Sequence, residues 1–298
     1  MTAHFYGTKK YVLNVLQRPD LHQHHADLYA ASVVLQITYG KPAPSSFEDP
    51  AIVAIHKIAD RFLGMLKPGA YLVGRLPWLR YVPGYAPEIK RYRKEELEVH
   101  LGQVDATRRS VEEGSDLPSF VRYLVENPDS HGLDEETLAY LAGPCTTSVG
   151  MYTIVMAAAL FPEEQEKVLA EIDGVFGGQK ALRWRPILPI CLYHQAFANF
   201  VWNGYHIPAG ATIIGNNWGI SRDTEVFPDP ETFNPQRWLN DQGQMRPQNE
   251  IRFFTYGFGR RVCPGQYVAS RSLFVTMSLL FWSFRISQDP SQPIDSNA

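Results

Sequence analysis

Cys263 lies between a glycine-punctuated loop and an apolar run, in the stretch FFTYGFGRRVCPGQYVA from Phe253 to Ala269. Gly257 and Gly259 allow the backbone to turn tightly and to approach a flat ligand closely. Pro264 suits the first position of a helix, where its missing N–H costs nothing. The run Gly265–Phe284 has helical length and is apolar almost all round, which predicts a buried helix. Cys263 then sits at a helix N-terminus, where unpaired N–H groups and the positive dipole end favour a thiolate. Arg260 and Arg261 add positive charge beside it. A thiolate held this way is a soft metal ligand, and a lone one suits haem iron. Taken as an isolated residue, a buried cysteine reads instead as a small core hydrophobe.

The stretch resembles the haem-binding loop of the cytochrome P-450 family, the haem-thiolate monooxygenases, whose pattern is Phe-x-x-Gly-x-Arg-x-Cys-x-Gly. Tyr256, Gly259, Arg261, Cys263 and Gly265 stand at those places, with tyrosine for phenylalanine as the one departure. The resemblance implies haem b (iron protoporphyrin IX) with Cys263 as axial ligand. It also implies an aromatic ring at Tyr256 on the thiolate side and Arg261 paired with a haem propionate. His194 matches the family histidine that reaches a propionate, although residue type alone fits a surface or core histidine as well.

A second stretch, Ala142–Thr147, reads AGPCTT. It resembles the family's Ala/Gly-Gly-x-Asp/Glu-Thr-Thr on the helix that crosses the oxygen side of the haem. Gly143 matches the glycine that weakens the helix and opens a pocket, and Thr146 the threonine that helps deliver protons to dioxygen. Cys145 stands where the family has an acid, and Pro144 removes an N–H within the expected helix. A third pattern, Glu-x-x-Arg, is represented by Lys180 and Arg183, a charge reversal at the first position. Arg237, in FNPQRW, matches the later arginine of that triad. Trp218 and Arg222 match a Trp-x-x-x-Arg haem contact in type but lie in the wrong part of the chain.

The elements that must position these residues read as helices between Pro/Gly loops: Lys9–Leu16, Leu21–Thr38, Ala51–Leu66 and Glu88–Glu112, then a helical stretch across Asp134–Phe161. The histidines His22, His24 and His25 are spaced poorly for one helical face and read as a solvated helix end. Phe200–Ile207 and Ala211–Asn216 read as short strands around a turn at Pro208–Gly210. The fold class is therefore mainly α with a small β portion, a partial cytochrome P-450 fold. It is expected as a single domain over residues 1–298 that lacks the family's N-terminal part, a segment near Gly177 and the C-terminal end.

At 298 residues a sizeable core is available, and the net charge of −3 gives no electrostatic case for nucleic acid. Three widely separated cysteines suggest no disulfide framework and fit a reducing compartment. No signal peptide is visible in MTAHFYGTKKYV, and no run reaches membrane-spanning length. Members of the family are usually anchored to the endoplasmic reticulum membrane facing the cytosol, so the lack of an anchor in this chain is a departure. Trp78, Leu79, Tyr81 and Tyr85 in the loop LPWLRYVPGYAP suit peripheral membrane contact, and ordinary packing under a Pro-rich loop equally.

The activity implied is monooxygenation of a hydrophobic small molecule, with one oxygen atom of dioxygen entering the substrate and the other leaving as water. The implied partner is an NADPH-dependent P-450 reductase docking near Arg260 and Arg261. The rival expectation is a non-catalytic or misfolding remnant that at most binds haem, suggested by Cys145, Lys180 and the missing segments.

Overall fold

The structure, a computed structural model, describes residues 2–44, 46–67, 69–74, 76–141, 147–170, 185–242, 244, 246 and 254–294. The chain divides into two units, Met1–Cys145 and Thr146–Ala298.

The first unit is helical: α1 (Thr2–Gln17), α2 (His22–Tyr39), α3 (Pro50–Leu66), α4 (Pro87–Glu112), α5 (Phe120–Glu126) and α6 (Glu135–Leu141). Local chemistry sets several boundaries. Gly40 closes α2 in the left-handed conformation, with the Lys41 N–H reaching back to the Leu35 carbonyl. Asp49 caps α3 by accepting from the Ala51 N–H at 2.9 Å, with Pro50 at the first helical position. Ser119 caps α5 in the same way through the Arg122 N–H. The core joins Leu28, Leu35 and Tyr39 of α2 to Ile52 of α3, Val104 of α4, Val121 of α5 and Leu138 of α6.

Helix α1 runs seven residues further toward the N-terminus than the expected Lys9 start. The cause is tertiary: α1 packs on α2, and a Cβ at Gly7 would meet the Tyr29 ring at 3.1 Å. Gly7, a poor helix former on its own, is the residue that admits Tyr29. His25 is buried rather than solvated, because its Nε2–H donates to the Arg18 carbonyl at 3.1 Å. Between α3 and α4, a tight turn at Pro77–Tyr81 leaves Trp78 59% and Tyr81 72% exposed.

The second unit comprises α7 (Thr147–Leu160), α8 (Pro162–Ala170), β1 (His194–Gln195), β2 (Phe200–Trp202), β3 (Tyr205–Ile207), β4 (Thr212–Ile213), α9 (Asn217–Ile220) and α10 (Gln266–Ser283). Helices α7 and α10 pack together, burying Met151, Ile154 and Ala157 on one and Leu273, Met277 and Leu280 on the other. The spacing on each helix gives one apolar stripe. Helix α10 is thus not buried all round: Tyr267, Phe274 and Trp282 face away from the stripe and are exposed. The buried Gln165 of α8 acts on the segment after α10. Its Nε2 donates to the Ile286 carbonyl and its Oε1 accepts from the Ile286 N–H, both at 2.8 Å.

Strands β2 and β3 form an antiparallel hairpin, pairing Phe200 with Ile207 and Trp202 with Tyr205. Asn203 and Gly204 turn it with φ of 48° and 81°, the positive values a two-residue hairpin of right-handed twist requires. The single strand expected over Phe200–Ile207 is therefore two. Strands β1 and β4 pair outside this hairpin, His194 with Ile213 and Gln195 with Thr212. The architecture is mainly α with a small β portion. Among the described residues no helix is long and apolar enough to cross a membrane.

Candidate functional site

The Cys263 loop is held at its root, its tip and its exit. At the root, buried Phe254 packs with Phe227 and Trp238, with the Phe227 ring 5.5 Å from Trp238 and 6.5 Å from Phe254. The Gly257 N–H donates to the Phe254 carbonyl at 2.9 Å, a turn that places Gly257 at φ +83°. Gly259, at φ +58°, opens a short 3-10 turn through Arg261. The Cys263 N–H then donates to the Tyr256 carbonyl at 2.8 Å and closes the loop. At the exit, the Tyr256 hydroxyl and Ser270 Oγ are hydrogen-bonded at 3.0 Å, fastening the loop to α10.

Pro264 is not the first helical residue. Pro264 and Gly265 form a turn closed by the Gln266 N–H on the Cys263 carbonyl, and the helix ladder begins with the Ala269 N–H on the Gly265 carbonyl. A proline's fixed φ suits this turn as well as it suits a helix start.

The loop's glycines leave open space where side chains would stand, and one of them lies against the sulfur. A Cβ at Gly259 would meet nothing within 4 Å, one at Gly257 only the Arg261 carbonyl oxygen at 3.9 Å, and one at Gly265 the Cys263 Sγ at 3.7 Å. Arg260 and Arg261 are exposed, and neither has an ion pair among the described residues. Among those residues no three His, Cys, Asp or Glu side chains gather as a metal site. Cys263 is thus, among the described residues, a soft donor without companion metal ligands, close in the chain to two exposed arginines. That donor set fits a metal that brings its own equatorial ligands, as iron does in a macrocycle. The other described thiol differs: Cys191 is buried, its Sγ donates to Asn217 Oδ1 at 3.0 Å, and burial pushes its pKa up.

The family model for cytochrome P450 matches residues 20–298. The chain belongs to the cytochrome P450 family. It is similar to cytochrome P450 monooxygenase 64 of Postia placenta, 45% identical over 98% of this chain and 64% of that protein. Cytochrome P450 monooxygenase 88 of the same fungus is also 45% identical, over the same shares. A cytochrome P450 monooxygenase of Armillaria gallica is 32% identical over 92% of this chain and 59% of its own length. The chain therefore spans less than two thirds of these relatives, and its fold is a partial P450 fold.

The remaining P450 positions are distributed as follows. His194 sits on β1 with its ring exposed, and its Nδ1 is 2.8 Å from the Leu192 carbonyl. A carbonyl only accepts, so Nδ1 carries the hydrogen and Nε2 is the nitrogen open to a further partner. Gly143, Cys145, Thr146, Lys180 and Arg183 lie outside the described residues. Thr147, next to the expected proton-relay threonine, is buried at the start of α7. Arg237 donates to backbone carbonyls of Asp229 and Thr232, both at 3.0 Å, and of Asn234 at 3.3 Å.

One charge cluster escaped the sequence reading. Glu231 accepts from Arg185 at 3.2 Å and from Arg222 at 3.0 Å. Both guanidiniums lie over the Trp218 ring, Arg222 at 3.4 Å and Arg185 at 5.1 Å from its centre. The spacing Trp218-x-x-x-Arg222 held part of the signal: Trp218 stands on α9 and Arg222 just past its C-terminal end, close enough for the guanidinium to stack on the indole. Its match to a haem-contact pattern is incidental to that role.

Proposed function

We propose that this chain is the haem-holding part of a haem-thiolate monooxygenase acting on a hydrophobic small molecule. The observation that carries the reading is Cys263, a lone thiol in a closed glycine loop at the head of α10. The group it takes is haem b. When bound, thiolate-ligated haem activates dioxygen, and the sulfur's electron push favours O–O cleavage.

The chain's own residues do the rest. The hydrogen bond from the Cys263 N–H to the Tyr256 carbonyl holds the loop closed, Gly265 keeps a side chain away from the sulfur, and Gly257 and Gly259 leave the loop surface bare. Arg261 would pair with a haem propionate, His194 would donate to one from Nε2–H in its doubly protonated form, and the Tyr256 ring would lie on the thiolate side. Gly143 would weaken the helix on the oxygen side, and the Thr146 hydroxyl would assist proton delivery. Cys145, a weak hydrogen-bond partner in the place of a carboxylate, slows that relay. Electrons come from an NADPH-dependent reductase that docks on Arg260 and Arg261. The exposed Trp78 and Tyr81 suit peripheral contact with a membrane surface.

The relatives matched over nearly the whole chain are named monooxygenases, which supports the catalytic reading over a haem-binding remnant. The test is the carbon monoxide difference spectrum of the reduced chain. Wild type and Cys191→Ala give the red-shifted Soret band of thiolate ligation, and Cys263→Ala loses it. A Cys263→Ala variant that keeps the band overturns the assignment. With reductase and NADPH supplied, a slowed relay releases hydrogen peroxide in excess of hydroxylated product.

A further inference from the structure

Phe258, at the tip of the Cys263 loop, leans on Gly215. A Cβ built at Gly215 would lie 3.0 Å from Cys191 Sγ, 3.1 Å from Cys191 Cβ and 3.2 Å from the Phe258 ring. Gly215 is not among the residues of positive φ, unlike Gly257 and Gly259. Its lack of a side chain therefore serves space rather than conformation.

The surface under Phe258 is a hydrogen-bonded frame. The Cys191 N–H donates to the Gly215 carbonyl at 2.7 Å, and the Trp218 N–H to the Pro189 carbonyl at 2.8 Å. The Cys191 thiol donates to Asn217 Oδ1 at 3.0 Å, and Asn217 Nδ2 donates to the Leu188 carbonyl at 3.2 Å. Phe258 and Cys263 both lie on the span that the hydrogen bond from the Cys263 N–H to the Tyr256 carbonyl closes, so a shift at the tip is carried round to the sulfur.

We propose that Gly215 is a positioning residue for Cys263: its bare Cα seats Phe258 on the Cys191–Asn217 frame, and the seated ring sets where the sulfur stands. The proposal rests on Cys263 being the haem ligand. Of the groups a methyl at 215 would strike, Cys191 is buried and bonded at both backbone and thiol, whereas Phe258 is 44% exposed between two glycines. Phe258 is the group that yields.

The test uses the full chain as wild type, Gly215→Ala, Phe258→Leu and the double variant. Iodoacetamide modification of each cysteine is followed by peptide mass spectrometry before haem is added, and the Soret band of the reduced carbon monoxide complex afterwards. Gly215→Ala should change the Cys263 modification rate at least about twofold, the lower end for coupling between residues in contact. It should also shift part of the Soret band to the shorter wavelength of a displaced or neutral ligand. The double variant should return toward Phe258→Leu, because the shorter side chain relieves the clash, while Cys191 stays protected throughout. Additive effects in the cycle, an unchanged Cys263 rate in Gly215→Ala, or exposure of Cys191 in place of Cys263 would overturn the proposal. If Gly215→Ala does not fold, Phe258→Ala on the natural glycine takes its place. It must alter Cys263 reactivity with the unfolding midpoint retained, and an unaltered rate overturns the proposal equally. Failure of the haem assignment is read separately, from a Cys263→Ala variant that keeps the red-shifted band.

Discussion

Replacing Glu231 with glutamine removes the carboxylate that bridges two guanidiniums. The Arg185 and Arg222 side chains are only 10% and 13% exposed, and Glu231 is 60% exposed. A hydrogen bond to a charged group contributes about 1.5–3 kcal/mol when sheltered, but an exposed carboxylate brings each bond toward the surface value of about 1 kcal/mol or less. Glutamine keeps one acceptor for one arginine and turns an N–H₂ toward the other. The loss is then one charge-assisted bond plus the repulsion of two cations on a single indole, about 2 kcal/mol in all. For a folding unit of this size, that corresponds to a drop of about 4–8 °C in the unfolding midpoint. The assay is thermal unfolding followed at low and high salt. Screening should narrow the gap between wild type and Glu231→Gln as salt rises. An unchanged midpoint would refute the reasoning, and so would a gap that widens with salt.

Gln165→Leu should lower stability by about 2–4 kcal/mol, because the Ile286 N–H and C=O lose their partner together. Gln165→Glu should be worse still, since it sets a carboxylate against the Ile286 carbonyl; chemical denaturation ranks the two. His100 is buried beside Glu96 at 3.8 Å, and burial lowers the histidine and raises the carboxyl, so burial outweighs the attraction of the pair. A histidine held below its ordinary 6.5 binds fewer protons folded than unfolded. Stability should therefore fall as pH drops below that value, and His100→Phe should flatten the slope in a pH series of unfolding midpoints. Gly265→Ala should leave the midpoint within about 0.5 kcal/mol, because Gly265 already has an ordinary φ of −80°. Its methyl, 3.7 Å from Cys263 Sγ, should slow alkylation of that thiol and uptake of haem.

Helix limits were legible wherever a residue type dictates them. Gly40 and Asp49 mark their ends by left-handed backbone and side-chain capping, and α2, α3, α4 and α10 fall within a residue or two of the expected limits. What stayed hidden depends on contacts distant in sequence. Gly7 carries no packing signal until Tyr29 is placed against it, and Gly215 is an ordinary glycine until Phe258 arrives from the Cys263 loop. The Asn203–Gly204 turn was readable, since that dipeptide favours positive φ, but the aromatic run around it masked two strands as one. For the site, the sequence placed a glycine-punctuated loop ahead of α10, but its closure by the Cys263 N–H on the Tyr256 carbonyl and the turn at Pro264–Gly265 depend on backbone contacts that residue types do not reveal. The Trp218–Arg222 stacking was signalled by spacing, whereas the Glu231 bridge was not legible, because Arg185 reaches it from 46 residues away.

The Asn203–Gly204 turn also bears on the order in which this region folds. Strands β1 and β4 enclose the β2–β3 hairpin, and beyond it the Ala196 N–H donates to the Ala211 carbonyl while the Gly210 N–H donates to the Ala196 carbonyl. A hairpin closes in about 1–10 μs. Once the inner pair has formed, the outer strands need only a short further loop closure, and the entropy of closing the whole span at once is avoided. The nested arrangement zips from the inside out, with Gly204 as its nucleus. A β-branched residue there would slow the arrival of both strand pairs, and with them the placement of His194.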